Sequence, residues 1–363
     1  MVPGRRSSGC FTSESDAEAA ADARPGAEDL LALDVGGANI KVADGRGWAQ
    51  SEPFELWRRR AELPAALREL VHPKRPRRVV VTMTGEIADC YGSRREGVAD
   101  IIAAVRQAVG PACTVGIYLV DGSIVTPDDA LRRPLDAAAS NWHAVARFAA
   151  ACVGAGRGLV VDVGSTTTDI VPLRDGAVVA TARDDVGRLA AGELVYTGVE
   201  RTPVAAIVRS LPWRGRMRPV VSERFAESRD IWLLLGCLAE DATNRGTADG
   251  GPATREAAGR RLARMLLADP DDVTVEEAVA MARRCADAQA RLVTRALVRV
   301  AEAQGGPPRS VVLAGHGDCL ARRALRLLGW PVELVPLGER SGEAASRAAP
   351  AHALAVLCRG GIA

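Results

Sequence analysis

Apolar and polar positions fall into blocks that define elements from residue 29 onward. Residues 1–28 are polar, Ala-rich and without periodicity, and read as a disordered leader. Order begins at Asp29-Leu-Leu-Ala-Leu-Asp-Val35, an apolar run that ends in a carboxylate and meets Gly36-Gly37. The pattern predicts short strands at 40–43 and 48–52 with an Asp44-Gly45 turn between them. A helix over 55–71, a β-branched buried strand at 78–83, a helix near 94–109, a strand at 114–120 and a helical stretch over 129–153 follow.

A second unit opens at Gly158. Leu159-Val-Val-Asp-Val-Gly164 repeats the start of the first unit and Asp175-Gly176 repeats its turn, so that Asp34-Val-Gly36 aligns with Asp162-Val-Gly164. Strand, polar loop, second strand and Asp-Gly turn recur in both, an internal repeat on the scale of a domain. Residues 229–304 are mostly helical with a polar Gly-rich break at 245–252. A strand at 310–313, the turn Gly315-His-Gly317, a helix, a strand at 332–336 and a final helix near 343–358 complete the chain. The expected organisation is a leader (1–28), a first half (29–156) and a second half (157–342) with a helical insertion near 229–304. A C-terminal helix (343–363) is expected to pack back on the first half.

Composition narrows the class. A length of 363 residues fits two domains, and 48% apolar residues supply a core that a disordered chain lacks. With 47 basic against 45 acidic residues there is no electrostatic footprint for nucleic acid or anionic lipid. Lys41 and Lys74 are the only lysines in an Arg-rich chain, which marks Lys41 as a place where a compact point charge matters. The eight cysteines form no C-x-x-C pair and the four histidines show no zinc spacing, so neither a disulfide framework nor a structural zinc site is expected. Arg5-Arg6 and Cys10 are not followed by an apolar export segment, and no apolar run approaches the ~18 residues that span a bilayer. A cytoplasmic protein without membrane or nucleic-acid partners is expected.

The candidate chemistry sits in three loops. In Leu33-Asp-Val-Gly-Gly-Ala-Asn-Ile-Lys41 a strand delivers Asp34 at its end, and Gly36 and Gly37 let backbone N–H groups face an anion. Asp34 is placed to hold Mg²⁺, which takes one or two carboxylates plus phosphate oxygens, and Lys41 adds positive charge. A plain β-hairpin explains the same residues. In the second loop, Gly164, Ser165, Thr166 and Thr167 offer donors between Asp162 and Asp169. Two such loops, each on the first hairpin of its own half, are able to clamp one polyphosphate around a metal. In the third, Gly315 and Gly317 permit close backbone approach to a flat group or phosphate at a helix N-terminus, and His316 reads as a loop residue rather than a catalyst.

These three loops, in this order, resemble those of the actin, sugar-kinase and heat-shock ATPase superfamily. The resemblance implies an α/β fold of two ribonuclease-H-like (actin-like ATPase) domains around a central cleft, over roughly residues 29–358. The first loop lacks the Thr or Ser that sugar kinases carry after the glycines, and no sugar-kinase general base is evident, so ATP binding stays open. A narrower resemblance rests on Thr82-Met-Thr-Gly-Glu-Ile-Ala-Asp89, Asn141-Trp142, Gly192-Glu-Leu-Val-Tyr-Thr-Gly-Val-Glu-Arg-Thr-Pro203, Thr247-Ala-Asp-Gly250 and Ala344-Ala-Ser-Arg-Ala-Ala-Pro350. These segments resemble the hydantoinase/oxoprolinase-related family of the tetrahydromethanopterin-linked one-carbon pathway, whose archaeal members are similar to the ether-forming synthase of methanofuran biosynthesis.

That family implies a transferase joining an aminomethylfuran-methyl diphosphate to the phenol of γ-glutamyltyramine, or a tyrosine analogue, with release of pyrophosphate. The cofactor would be Mg²⁺, or Mn²⁺, and the partners small molecules. Asp34 and Asp162 would hold the metal, with Asp169 in its shell or acting as a base and Lys41 neutralising charge. Gly36, Gly37, Gly164, Ser165, Thr166 and Thr167 would bind phosphate oxygens, with Gly315 and Gly317 alongside. Glu86 and Asp89 would receive the aminomethyl cation, or else simply favour a helix N-terminus. Tyr196, Thr197 and Arg201 would grip the aromatic partner or its carboxylate, unless Arg201 only pairs with Glu200 or Glu193. Asp249 is a lid residue or part of a solvated loop; Asn141 and Trp142 cap and pack a helix. An ATP-dependent kinase, an oxoprolinase-type hydrolase and a nucleotide-gated regulator are the competing readings.

Overall fold

A computed structural model of the protein describes residues 29–360; the leader expected over 1–28 lies outside the described residues. Strands β1 (Leu30–Val35), β2 (Asn39–Ala43), β3 (Ala49–Pro53), β4 (Arg78–Met83), β5 (Thr114–Tyr118) and β6 (Ile124–Val125) form one sheet in the order 3-2-1-4-5-6. β2 runs antiparallel to β1, and β4 parallel to it. Every residue of β1 is buried, as expected of a central strand covered on both faces.

The second half repeats this plan. β7 (Arg157–Val163), β8 (Thr168–Arg174), β9 (Ala177–Val178) and β10 (Leu194–Val195) come first, then a separate hairpin of β11 (Ser210–Trp213) and β12 (Arg216–Pro219). β13 (Ser310–Gly315) and β14 (Glu333–Pro336) complete a sheet of order 10-8-7-13-14, with β9 also on β8. The outer-2-1-4-5 order of the ribonuclease-H-like unit therefore occurs twice. The outer position is a full strand in the first half and two short pieces, β9 and β10, in the second.

The helical stretch expected over 129–153 is three helices, Pro127–Arg132, Pro134–Ala137 and Asn141–Ala150. Pro134 removes a backbone donor, and Ala139 adopts a left-handed conformation (φ 48°), so the chain turns twice. The final helix likewise divides into Glu343–Arg347 and Ala349–Cys358, the latter with Pro350 in its first turn.

Two helices join the halves. Val145, Ala146 and Ala149 of Asn141–Ala150 pack with Val160, Val171 and Val312 of the second sheet, while Ala144 packs with Leu30, Ala32 and Val80 of the first. In Ala349–Cys358, Leu354 and Ala355 complete the cluster on the first sheet and Ala353 the cluster on the second. Arg359 fastens this end, donating to the carbonyls of Asp44 (2.6 Å) and Leu30 (3.1 Å). In the second half the long helix Val275–Ala303 buries Ala278, Ala282, Ala286 and Ala290 along one stripe, so small side chains set close packing where aromatics are scarce. Among the described residues no helix is long and apolar enough to cross a membrane, and the seven cysteines are free.

Candidate active site

Each sheet delivers an aspartate near the end of its first strand, and the following hairpin returns a charged side chain opposite it. Asp34 is in register with Lys41 and Asp162 with Asp169. The connecting loops close alike: Gly36 N–H donates to the Asn39 carbonyl at 3.0 Å, and Gly164 N–H to that of Thr167 at 2.9 Å. Both loops also turn carbonyls back into the protein. Gly37 and Ala38 accept from Leu56 and Phe54, while Gly164 accepts from Val199 and Ser165 from Glu200 and Arg201. The hydroxyls of Ser165, Thr166 and Thr167 take no partner among the described residues, and the space beside Gly37 is open. Loops with carbonyls tied inward and donors left over suit an anion.

Charge gathers between them. Lys41 Nζ lies 3.0 Å from Asp34 Oδ2, and Asp34 is fully buried with no hydrogen-bond partner for its Oδ1. Burial works against the Lys41 ammonium, yet Asp34, Asp162 and Asp169 outweigh it and raise its pKa. Burial and the neighbouring Asp169 push Asp162 up to about 7, with Lys41 opposing and Asp34 adding to the rise. The hairpins of the two halves thus face each other closely enough to act on each other's ionisation. Contacts between the halves flank them: Arg94 pairs with Asp185 at 2.5 Å, and the Arg201 guanidinium lies 4.6 Å from the Trp57 ring centre.

Asp169 is tethered by Arg188, whose Nη1 donates to it at 2.8 Å and whose Nη2 donates to the Glu193 carbonyl at 3.0 Å. The buried guanidinium stacks on Trp142 at 4.1 Å. Burial still leaves the Asp169 pKa raised against the pull of Arg188. Among the described residues no three His, Cys, Asp or Glu side chains form a metal cage. The unpartnered buried oxygen of Asp34, with Asp162 near enough to feel its charge, instead fits a cation that shares its coordination with phosphate, as Mg²⁺ does.

Gly315 and Gly317 are demanded by packing. A Cβ on Gly315, which has φ +76°, would lie 2.2 Å from the Val163 carbonyl oxygen, and one on Gly317 would lie 2.4 Å from the Val163 side chain. The loop thereby braces β7 next to Asp162. His316 Nε2 meets Glu200 at 3.1 Å, and Arg229 meets the other Glu200 oxygen at 2.6 Å. Burial opposes the Glu200 carboxylate, but His316 and Arg229 hold it down at about 2.

The remaining candidates separate. Glu86 is fully buried in a single 3-10 turn after β4, 3.4 Å from Arg94, with no partner for its Oε2; burial pushes it up to about 7. Asp89 and Tyr196 are exposed. Thr197 points into the core, where its hydroxyl meets Gln289 and Thr202. Arg201 stacks on Trp57, while Glu193 accepts from Thr181 and Glu200 from Arg229. Asp249 clasps Arg261 at 3.1 Å and Arg264 at 2.9 Å, which pins its loop. Asn141 accepts from the Trp142 N–H at the helix start.

Sequence reasoning passes over Arg188, Arg229, Trp57 and Arg94, and names Glu200 only as a partner for Arg201, whereas it pairs with Arg229 and His316. Arg188 had a signal: in the repeat, Lys41 aligns with Asp169, so the second hairpin holds a surplus carboxylate that requires a cation from elsewhere.

The chain is 33% identical over 331 residues (90% of its length, 97% of the relative's) to the (4-{4-[2-(gamma-L-glutamylamino)ethyl]phenoxymethyl}furan-2-yl)methanamine synthase of Methanocaldococcus jannaschii. It is 30% identical over 203 residues, 55% of its length and 90% of the relative's, to the synthase of the same name from Methanococcus vannielii. Among solved structures it is similar to an inorganic polyphosphate/ATP-glucomannokinase from Arthrobacter, with 17% identity, 90% and 97% coverage and a TM-score of 0.40. Residues 77–356 match the family model described as Hydantoinase/oxoprolinase, a span that takes in the second acidic hairpin, the Glu86 turn and the glycine loop around His316. The chain belongs to the hydantoinase/oxoprolinase family.

Proposed function

We propose that this chain is a transferase of methanofuran-type cofactor biosynthesis, which couples an aminomethylfuran-methyl diphosphate to the phenol of γ-glutamyltyramine or a tyrosine analogue. The observation that carries this reading is the pair of facing hairpins, with carbonyls turned inward and Lys41 between three aspartates. A diphosphate ester is the kind of group such a site holds. Likeness to the synthases named above supplies the substrate class.

In the reaction the bond from the furan-methyl carbon to the diphosphate oxygen breaks, a bond from that carbon to the phenol oxygen forms, and pyrophosphate leaves. The phenolic proton passes to a carboxylate, for which Asp169 is the candidate. Backbone and hydroxyl donors of Gly36, Gly37, Gly164, Ser165, Thr166 and Thr167 hold the phosphate oxygens, and Lys41 offsets their charge. Mg²⁺ or Mn²⁺, held by Asp34 and Asp162, would stabilise the departing pyrophosphate. The unpartnered Glu86 oxygen receives the aminomethyl cation, and Arg201, steadied by Trp57, binds the glutamyl carboxylate through its free N–H edge. Asp89 and Tyr196, both exposed, are free to meet substrate, while Thr197 and Asp249 act through the fold.

The test incubates purified protein and Mg²⁺ with an aminomethylfuran-methyl diphosphate and γ-glutamyltyramine, without nucleotide. The coupled mass and one pyrophosphate per product are expected. Coupling that requires ATP hydrolysis, or no coupling at all, would overturn the assignment.

A further inference from the structure

Helix Asp318–Leu328 and the start of β14 wall a cavity of about 920 Å³ in the second half. One end of it, at Cys319, begins one turn beyond the glycine loop, and the rest runs outward toward the edge of the sheet. Its wall continues through Gly329, Trp330 and Val332 to Leu334, which is in register with Val311, itself in register with Leu159. Leu159 precedes Asp162 by three residues, about 10 Å of strand, and β14 lies two strands away from β7. The β14 end of the cavity, where Arg326, Trp330 and Val332 lie, therefore sits apart from the acidic hairpins.

Its lining is divided by chemistry. Trp232, Leu325, Trp330 and Val332 provide an apolar side, and the volume suits an organic molecule of ordinary metabolite size. Four arginines stand over it, and two are engaged: Arg322 with Asp318 at 2.9 Å, and Arg323 with Asp287 at 2.7 Å. Arg283 and Arg326 are exposed and have no ion-pair partner among the described residues. Cys237 on the same wall senses the positive field. A hydrogen bond from Cys319, together with the charges of Arg323 and Arg326, draws its thiol down to about 7.

We propose that this cavity binds an organic anion with a flat apolar body and a phosphate or carboxylate head, the body against Trp330 and Val332 and the head held by Arg283 and Arg326. A guanidinium pair suits such a head because each can donate two parallel hydrogen bonds. The apolar side gives the body a reason to leave water that a bare inorganic ion lacks.

Cys237 gives a local readout. The full-length protein is alkylated with iodoacetamide, with Cys237 followed by peptide mass spectrometry, in the presence of phenyl phosphate, inorganic phosphate or benzyl alcohol. Phenyl phosphate is expected to slow Cys237 labelling about tenfold, while either half alone changes it less than about twofold. Arg283→Ser should abolish protection, read as the ratio of labelling with and without phenyl phosphate in that same variant. A Ser165→Ala/Thr166→Ala variant should keep full protection, because those hydroxyls belong to the other site. Equal labelling with and without phenyl phosphate would overturn the proposal. So would protection by inorganic phosphate alone, or protection that survives Arg283→Ser.

Discussion

The two acidic hairpins share a backbone and differ in how they balance charge. In the first, the carboxylate and its cation are seven residues apart on adjacent strands, Asp34 against Lys41. In the second, the same cross-strand position holds another carboxylate, and the cation comes from helix Asp185–Ala191 as Arg188, backed by Trp142. The first hairpin is self-neutralised; the second carries two carboxylates against one borrowed guanidinium. A duplicated frame thus conserves the path of the chain while its charges are free to take different parts. The site as a whole is lopsided: on the second side, burial and Asp169 push Asp162 up to about 7.

Substitutions that erase the difference should have the largest effects. Asp169→Lys rebuilds the second hairpin in the image of the first, but sets an ammonium against Arg188; it is expected to cost about 3–5 kcal/mol in urea unfolding. Adding Arg188→Met should recover most of that loss. On activity, Asp34→Asn and Asp162→Asn are each expected to slow pyrophosphate release about 100- to 1000-fold in a coupled phosphate assay.

Lys41→Met leaves Asp34 buried without its cation and should lower stability by about 2–3 kcal/mol. Lys41→Arg should recover folding better than turnover, because a forked guanidinium does not replace a compact charge.

Proton linkage sharpens the contrast further. The folded-state pKa of Asp162 is about 7, above its ordinary 3.8, so its contribution to stability is complete below pH 3.8 and is lost as pH rises through 7. Without divalent metal, Asp162→Asn should therefore gain about 2–3 kcal/mol on wild type between pH 5 and pH 8 in thermal melts. Millimolar Mg²⁺ should shrink that gain. The smallest effect is expected from Gly37→Ser, which copies the second loop into the first where nothing crowds the new side chain; melting should shift by no more than about 0.5 kcal/mol equivalent.

The fold was legible where local pattern and tertiary context agree. The strand at 78–83 and the helix at 94–109 are found with those bounds, because a β-branched run and a Ser93-capped amphipathic stretch each leave one reading. The stretch over 129–153 was not, since its apolar spacing continues across Pro134 and Ala139 while the backbone does not. At the site, the repeated Asp-x-Gly loops could be read from spacing alone. That they face each other, that Thr197 turns inward and that Arg201 meets Trp57 depend on contacts distant in sequence, which periodicity does not encode. Arg188 lay between: only the mismatch of Lys41 with Asp169 across the repeat pointed to it.

The helix Ala349–Cys358 also governs the order in which the molecule can be completed during synthesis. Its Leu354 and Ala355 cover Leu30, Ala32 and Val80 on the earliest-made sheet. A ribosome must therefore translate past residue 355 before that sheet is sealed. Until then its exposed aliphatic surface is a natural target for chaperones, and cutting the chain short before residue 349 should release aggregating product from a half whose own residues are all present.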